Sequence, residues 1–191
     1  MKLDTSNQLS YPTVALHWIV GFAVIGLLAV GIYMAETDTR SLYPWHKSFG
    51  FAIFFVVLLR IAWRVRNGWP VPVSRYLRIE RLLARAVQWI LLLGTVLMPI
   101  SGFLMSALGG FGVDVFGFEV VARNPDPLNP GKILAHNAMW ASFFHEAHEL
   151  IGYTLIAALA LHISGALKHH LIDKDGTLRR MLGSSVEVQR T

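Results

Sequence analysis

The stretch that decides the fold is His145–His170, HEAHELIGYTLIAALALHISGALKHH. From Leu150 to Leu167 it contains no charged residue, yet His162 lies inside the run and His148 stands just before it. An imidazole placed in hydrocarbon marks a functional position by default. The two histidines are 162 − 148 = 14 residues apart, close to four helical turns, so both project from nearly one face of a helix. At ~1.5 Å per residue they are separated by about 21 Å along the axis. A hydrocarbon core is about 30 Å thick, so one helix offers one imidazole near each membrane surface.

The rest of the chain agrees with a membrane setting. Of 191 residues, 54% are hydrophobic and only 15% charged, where a soluble domain carries about a quarter charged residues. With no cysteine, disulfides, thiolate-held iron–sulfur clusters and covalently attached c-type haem are excluded. The net charge of +5 is distributed along the flanks of apolar runs, which fits membrane topology and argues against a nucleic-acid partner. The first apolar run, Val14–Met34, is longer than a signal-peptide core and lacks a basic leader, since Lys2 is offset by Asp4; it reads as a retained span.

These features predict an all-α, integral-membrane four-helix bundle. One membrane domain is expected over residues 1–175, with spans near 14–34, 45–66, 86–108 and 146–170. A basic tail, frayed at its end, is expected over 176–191. His17 lies about one turn inside the first span and His46 at the entrance of the second, while the third has no histidine and is interrupted by Pro99. Between Arg60 and Arg85 there are seven arginines and one acid, Glu80, with Pro70 and Pro72 marking a turn. The Gly/Pro-rich connection 109–144 is expected to hold a short amphipathic helix around Lys132–Phe144. The N-terminus, second connection and tail hold 13 Lys and Arg, against Arg40, Lys47, Arg123 and Lys132 in the other two connections. By the positive-inside rule both termini are then cytoplasmic.

In this topology His17 and His162 share the cytoplasmic half of the bilayer, and His46 and His148 the opposite half. Two imidazoles facing each other across a bundle, with no carboxylate or thiolate between them, suit the axial positions of an iron porphyrin. Two such pairs predict two noncovalent b-type haems per chain, with His17, His46, His148 and His162 as iron ligands. Gly21, Gly50 and Gly152 each follow a histidine by four residues, which places a small residue one turn along on the ligand's face, where a flat macrocycle needs room. His145 is the rival to His148, but its 17-residue offset from His162 turns it about 100° away at ~100° per residue. Arg60, 14 residues after His46, points as His46 does but at the depth of the other pair, where a haem propionate is its natural partner. The alternatives are histidines hydrogen-bonded to neighbouring carbonyls, an arginine that merely snorkels, and a zinc- or proton-handling site built from His136, His145, Glu146 and Glu149. HEAHE itself departs from the HExxH zinc motif, because its second histidine comes one position early.

His17-Trp18, HKSFG at His46–Gly50 with Arg60 after it, ISGFLMS at Ile100–Ser106 and ALKHHLIDKDGTLRRM at Ala166–Met181 together resemble the prokaryotic cytochrome b561 family over nearly the whole chain apart from the third connection. The resemblance implies a di-haem bundle in the bacterial inner membrane that exchanges electrons with ubiquinone. It also implies a periplasmic redox partner, which in one branch is superoxide, giving a superoxide:quinone oxidoreductase. A membrane anchor that passes electrons to or from a periplasmic protein is the second reading. The sequence departs from the family at Gln88, where relatives often carry histidine early in the third span.

Overall fold

The computed structural model describes residues 3–74 and 76–188; Lys2, Arg75 and Arg190, counted above, lie outside them. Four long helices dominate it: α1 (Tyr11–Thr37), α2 (Tyr43–Asn67), α3 (Arg78–Leu108) and α4 (Ala138–Leu171). All four are long and apolar enough to cross a membrane. Their ends follow local chemistry. Pro12 and Pro44 occupy the first turns of α1 and α2, where the missing N–H costs nothing. The α3 start is capped by Glu80, whose carboxylate accepts the Leu77 N–H at 3.1 Å. The α4 start is capped by Asn137, whose side chain accepts from Trp140 N at 3.1 Å. α1 ends on Asp38 in the left-handed conformation (φ 48°) and α2 on Gly68 (φ 74°).

The helices exceed the predicted spans. α3, at 31 residues, and α4, at 34, are about 46 and 51 Å long at ~1.5 Å per residue, well beyond a hydrocarbon core of about 30 Å. Hydropathy finds only the part of a helix that lipid covers. The overhangs carry polar residues: Arg78, Glu80, Arg81 and Arg85 at the start of α3 and His145 near the start of α4.

α1 packs chiefly on α2 and α3 on α4, with α2 against α3 joining the two pairs. Val20, Val57 and Leu155, from α1, α2 and α4, are the most deeply buried side chains. α3 approaches α4 closely at Gly94, where a Cβ would stand 2.6 Å from Leu155 Cδ2. Most apolar residues on the outer faces, such as Phe22, Leu59, Leu97 and Leu161, are exposed, as lipid-facing positions must be.

The third connection differs from its expectation. It forms two antiparallel hairpins, β1 (Val113–Val115) with β2 (Phe118–Val121) and β3 (Pro125–Asp126) with β4 (Asn129–Ile133). No separate helix occupies Lys132–Phe144: β4 runs to Ile133, and residues from Ala138 onward belong to α4 itself. Of the glycines and prolines that suggested irregular chain, Gly117 (φ 89°) and Pro127 lie in the hairpin turns, while Pro125, Pro130 and Gly131 lie in the strands. The first hairpin is fastened to α2 beside His46. Lys47 Nζ donates to Gly112 O (3.1 Å), and Phe116 N donates to Ser48 Oγ (3.0 Å). Phe116 also meets Phe49 edge to face.

The opposite end, where both termini lie, is knitted together. Asp4 accepts hydrogen bonds from Ser10 N and Oγ, both at 2.7 Å, and from Thr13 Oγ1 at 2.9 Å. Trp63 Nε1 donates to the same Thr13 hydroxyl at 2.8 Å. A short helix, α5 (Thr177–Met181), folds the tail back, and the fraying expected at its end falls on residues 189–191, outside the described residues. Arg180, only 6% exposed, donates to Ser6 O and Val71 O, both at 2.8 Å. Trp18 Nε1 donates to Met181 O at 2.8 Å, and Val186 N to Asn7 O at 2.9 Å. Trp18 and Trp63 therefore serve as internal ties.

Candidate functional site

The four predicted histidines come together as two pairs on facing helices. On the termini side, His17 of α1 and His162 of α4 have ring centres 6.1 Å apart; on the loop side, His46 of α2 and His148 of α4 have ring centres 6.4 Å apart. With metal–nitrogen bonds of about 2 Å, two imidazoles on opposite sides of one metal hold their ring centres roughly 6 Å apart. Direct packing or a hydrogen bond between the rings does not require that distance twice. α4 is unbroken between His148 and His162, so the 14-residue axial spacing of about 21 Å holds.

The loop-side pair borders an apolar cavity of about 560 Å³ lined by residues of all four long helices, within the roughly 300–1,000 Å³ of small-molecule sites. Gly31, Gly50, Gly102 and Gly152 open its walls. Nδ1 of His46 is buried there with no hydrogen-bond partner, a cost that a ligand on this ring would help to offset. His148 is oriented from behind. Its Nδ1 lies 3.0 Å from Met98 O and 3.1 Å from Ser101 Oγ. A carbonyl can only accept, so Nδ1 carries the hydrogen and Nε2 keeps its lone pair for a metal. Gly102 gives this ring its space, because a Cβ there would stand 2.9 Å from His148 Cε1. His145 and Glu149 also line the cavity, but His148 is the ring opposite His46.

On the termini side, Arg60 Nη2 lies 3.2 Å from His17 Nδ1, so the structure places Arg60 at the depth the sequence predicts. The guanidinium can only donate, so this contact requires an unprotonated Nδ1. If Nε2 binds a metal, Nδ1 usually bears the hydrogen, and Arg60 then needs an acceptor elsewhere. Gly21 faces open space.

The alternative zinc cluster does not assemble. Among the described residues, the only grouping of three or more potential ligands within 4.8 Å is His169, Asp173 and Asp175, and no three of His136, His145, Glu146 and Glu149 meet. Nor is the His169 group vacant ground. Asp173 is bound by Lys168 Nζ at 2.8 Å, and Asp175 by Tyr76 OH at 2.8 Å. Burial pushes the Asp175 carboxyl up, but hydrogen bonds from Thr177 and Tyr76 outweigh it and hold the group below its ordinary range.

Sequence reasoning missed Met98 O, Ser101 and Gly102. A signal for two of them was present: ISGFLMS at Ile100–Ser106 contains Ser101 and Gly102, on a span that supplies no histidine of its own. The role of Met98, a backbone carbonyl, left no trace in residue type.

Four membrane-crossing helices holding two imidazole pairs define a haem-carrying membrane electron-transfer protein. The model of the prokaryotic cytochrome b561 family matches residues 8–184, and the chain belongs to that family, whose cofactor is b-type haem. Cytochrome b561 homolog 2 of Escherichia coli (strain K12) is 34% identical, covering 95% of each chain. Cytochrome b561 homolog 1 of the same organism is 28% identical, covering 92% of this chain and 97% of that one. A protein of Yersinia pestis named probable superoxide oxidase CybB is 27% identical, covering 88% of this chain and 92% of its own.

Proposed function

We propose that this protein carries electrons across the bacterial inner membrane between ubiquinone and a periplasmic redox partner, through two b-type haems. The observation that carries this reading is the matched spacing of the two imidazole pairs, 6.1 and 6.4 Å, at two levels of one continuous helix. Haem b, when bound, supplies one-electron redox chemistry at its iron. The protein's own part is ligation, orientation and charge. His17 with His162, and His46 with His148, would hold the two haem irons. Met98 O and Ser101 fix the His148 ring, and Arg60, beside His17, would supply a positive charge for a haem propionate. Both termini are cytoplasmic by the distribution of Lys and Arg, so the loop-side pair lies toward the periplasm.

Superoxide is the favoured electron donor, supported by the Yersinia relative's printed name. Two superoxide anions would give up one electron each and leave as dioxygen, and one ubiquinone would take both electrons and two protons to become ubiquinol. The test is stopped-flow mixing of oxidised protein with superoxide, with and without a ubiquinone analogue. Haem reduction by superoxide, reversed by the quinone, is expected. Reduction by ubiquinol or a periplasmic protein, and none by superoxide, would exclude this donor and leave the membrane-anchor reading.

A further inference from the structure

The start of α3 presents a basic face that nothing among the described residues neutralises. At ~100° per residue, Arg78, Arg81, Arg85 and Trp89 fall within an arc of about 80°. Glu80 projects some 140–160° away from Arg85 and Arg78, and its partner, Lys168 of α4, stands 3.0 Å from it. The arginine face is therefore turned away from α4. All three arginines are exposed, and among the described residues none has an ion pair or a side-chain hydrogen bond. Several other cations at this end are engaged: Arg64 with Asp4, Lys168 with Glu80 and Asp173, Arg180 with two carbonyls.

The depth of this face is set by helix length. With about 46 Å of helix and about 30 Å of hydrocarbon, roughly ten residues of α3 must lie outside the apolar core. The basic turns Arg78–Arg85 are the ones suited to that position. Trp89 follows one turn deeper, paired with Trp69 of the preceding loop at 5.5 Å between ring centres. Both indoles are half exposed, as side chains at the level of lipid ester groups are.

We propose that this face binds the phosphodiester headgroup of an anionic glycerophospholipid, with Arg78, Arg81 and Arg85 donating to phosphate oxygens and the Trp69–Trp89 pair flanking the glycerol. Guanidinium forks match phosphate geometry, and a basic side chain at a membrane surface contributes about 1 kcal/mol toward anionic lipid. The proposal rests on α3 spanning a bilayer and is independent of the electron donor.

The test is native mass spectrometry of haem-loaded, detergent-solubilised protein titrated with phosphatidylglycerol, with phosphatidylethanolamine as the zwitterionic comparator. Wild type should retain phosphatidylglycerol preferentially. Combined Arg78→Gln, Arg81→Gln and Arg85→Gln should weaken that binding on the order of a hundredfold, and Arg81→Gln alone about fivefold. Arg66→Gln, which removes another exposed cation at the same end, should leave it unchanged. An unaltered visible spectrum establishes that each variant is folded, and the single substitution serves if the triple variant is not. Equal phosphatidylglycerol binding by wild type and the arginine variants overturns the proposal. An equal loss in Arg66→Gln overturns it too, by showing diffuse attraction. Displacement of the lipid by an equal concentration of inorganic phosphate would make free phosphate the ligand and overturn the lipid assignment.

Discussion

The loop-side and termini-side histidine pairs have almost the same ring spacing, yet their surroundings are opposite in kind. The loop-side pair sits in an apolar cavity of about 560 Å³, with His148 steered by Met98 O and Ser101 and a β-hairpin pinned beside His46. The termini-side pair has an arginine against His17 and a polar clamp beneath it, built from residues 3–10, the loop after α2 and the folded-back tail. One site is shaped by packing and the other by charge. If each pair holds a haem, as proposed, any difference between the two centres in potential and access would come from these surroundings.

The strongest way to break the comparison is to remove ligands. His148→Ala and His162→Ala are each expected to lower the haem content from two per chain to one, and each should remove a different spectral component. His145→Ala should keep both haems; loss of the loop-side component in that variant alone would mean that His145, and not His148, is the ligand. Haem-to-protein ratios decide the matter, and a ratio near one in fully loaded wild type would refute the two-site reading.

Gly102→Ala sharpens the packing half. The added methyl would meet His148 Cε1 at 2.9 Å, against a gain in helix propensity of only about 1 kcal/mol. Partial loss or a shifted potential of the loop-side haem is expected, with the other unchanged. Equal shifts in both haems would show that the sites are not separately controlled.

Arg60→Gln sharpens the charge half. Loss of a charge-assisted hydrogen bond at a partly buried site costs on the order of 1.5–3 kcal/mol. Because positive charge favours the reduced, less positive iron, the termini-side midpoint potential should fall, by tens of millivolts, as 1.4 kcal/mol corresponds to about 59 mV for one electron. Redox titration resolving two components checks this, and two unmoved potentials would remove the arginine from the account.

The smallest effect concerns the clamp. Burial tends to raise the Asp4 carboxyl, but hydrogen bonds from Ser10, Asn67 and Thr13 outweigh it and hold the pKa below the ordinary 3.8. A depressed carboxylate stabilises the fold at pH above its unfolded value, and this stabilisation is lost as pH falls through the folded value. Amide exchange in residues 3–13 should therefore accelerate below about pH 4 in wild type. In Asp4→Asn it should be faster at neutral pH and less sensitive to acid.

The helical membrane architecture was legible because hydrophobic runs free of charge leave few structural choices. The histidine pairing was legible because residues 14 apart on one helix share a face whatever surrounds them. Helix limits were not, since Tyr11–Thr37 and Ala138–Leu171 continue past the charge-free apolar windows. The hairpins between Val113 and Ile133 escaped because strands of two to five residues carry too short a pattern to register. The ordered tail escaped because its stability comes from distant partners: the Arg180 contacts to Ser6 and Val71 have no local signature. Lys168, Asp173, Asp175 and Arg180 in the closing motif give that motif a structural meaning, as the residues that fold the tail onto the bundle.

That both histidine pairs draw one member from α4 dictates the order of events during synthesis. His17 and His46 enter the membrane early, but their partners are encoded more than 100 residues later. At roughly 5–20 residues per second, seconds to tens of seconds pass before either pair can exist. Neither imidazole pair can form on a nascent chain still lacking α4, so any capture of a cofactor by two facing histidines waits for that helix. The Trp18 tie to Met181 is completed later still, because its acceptor emerges only after α4.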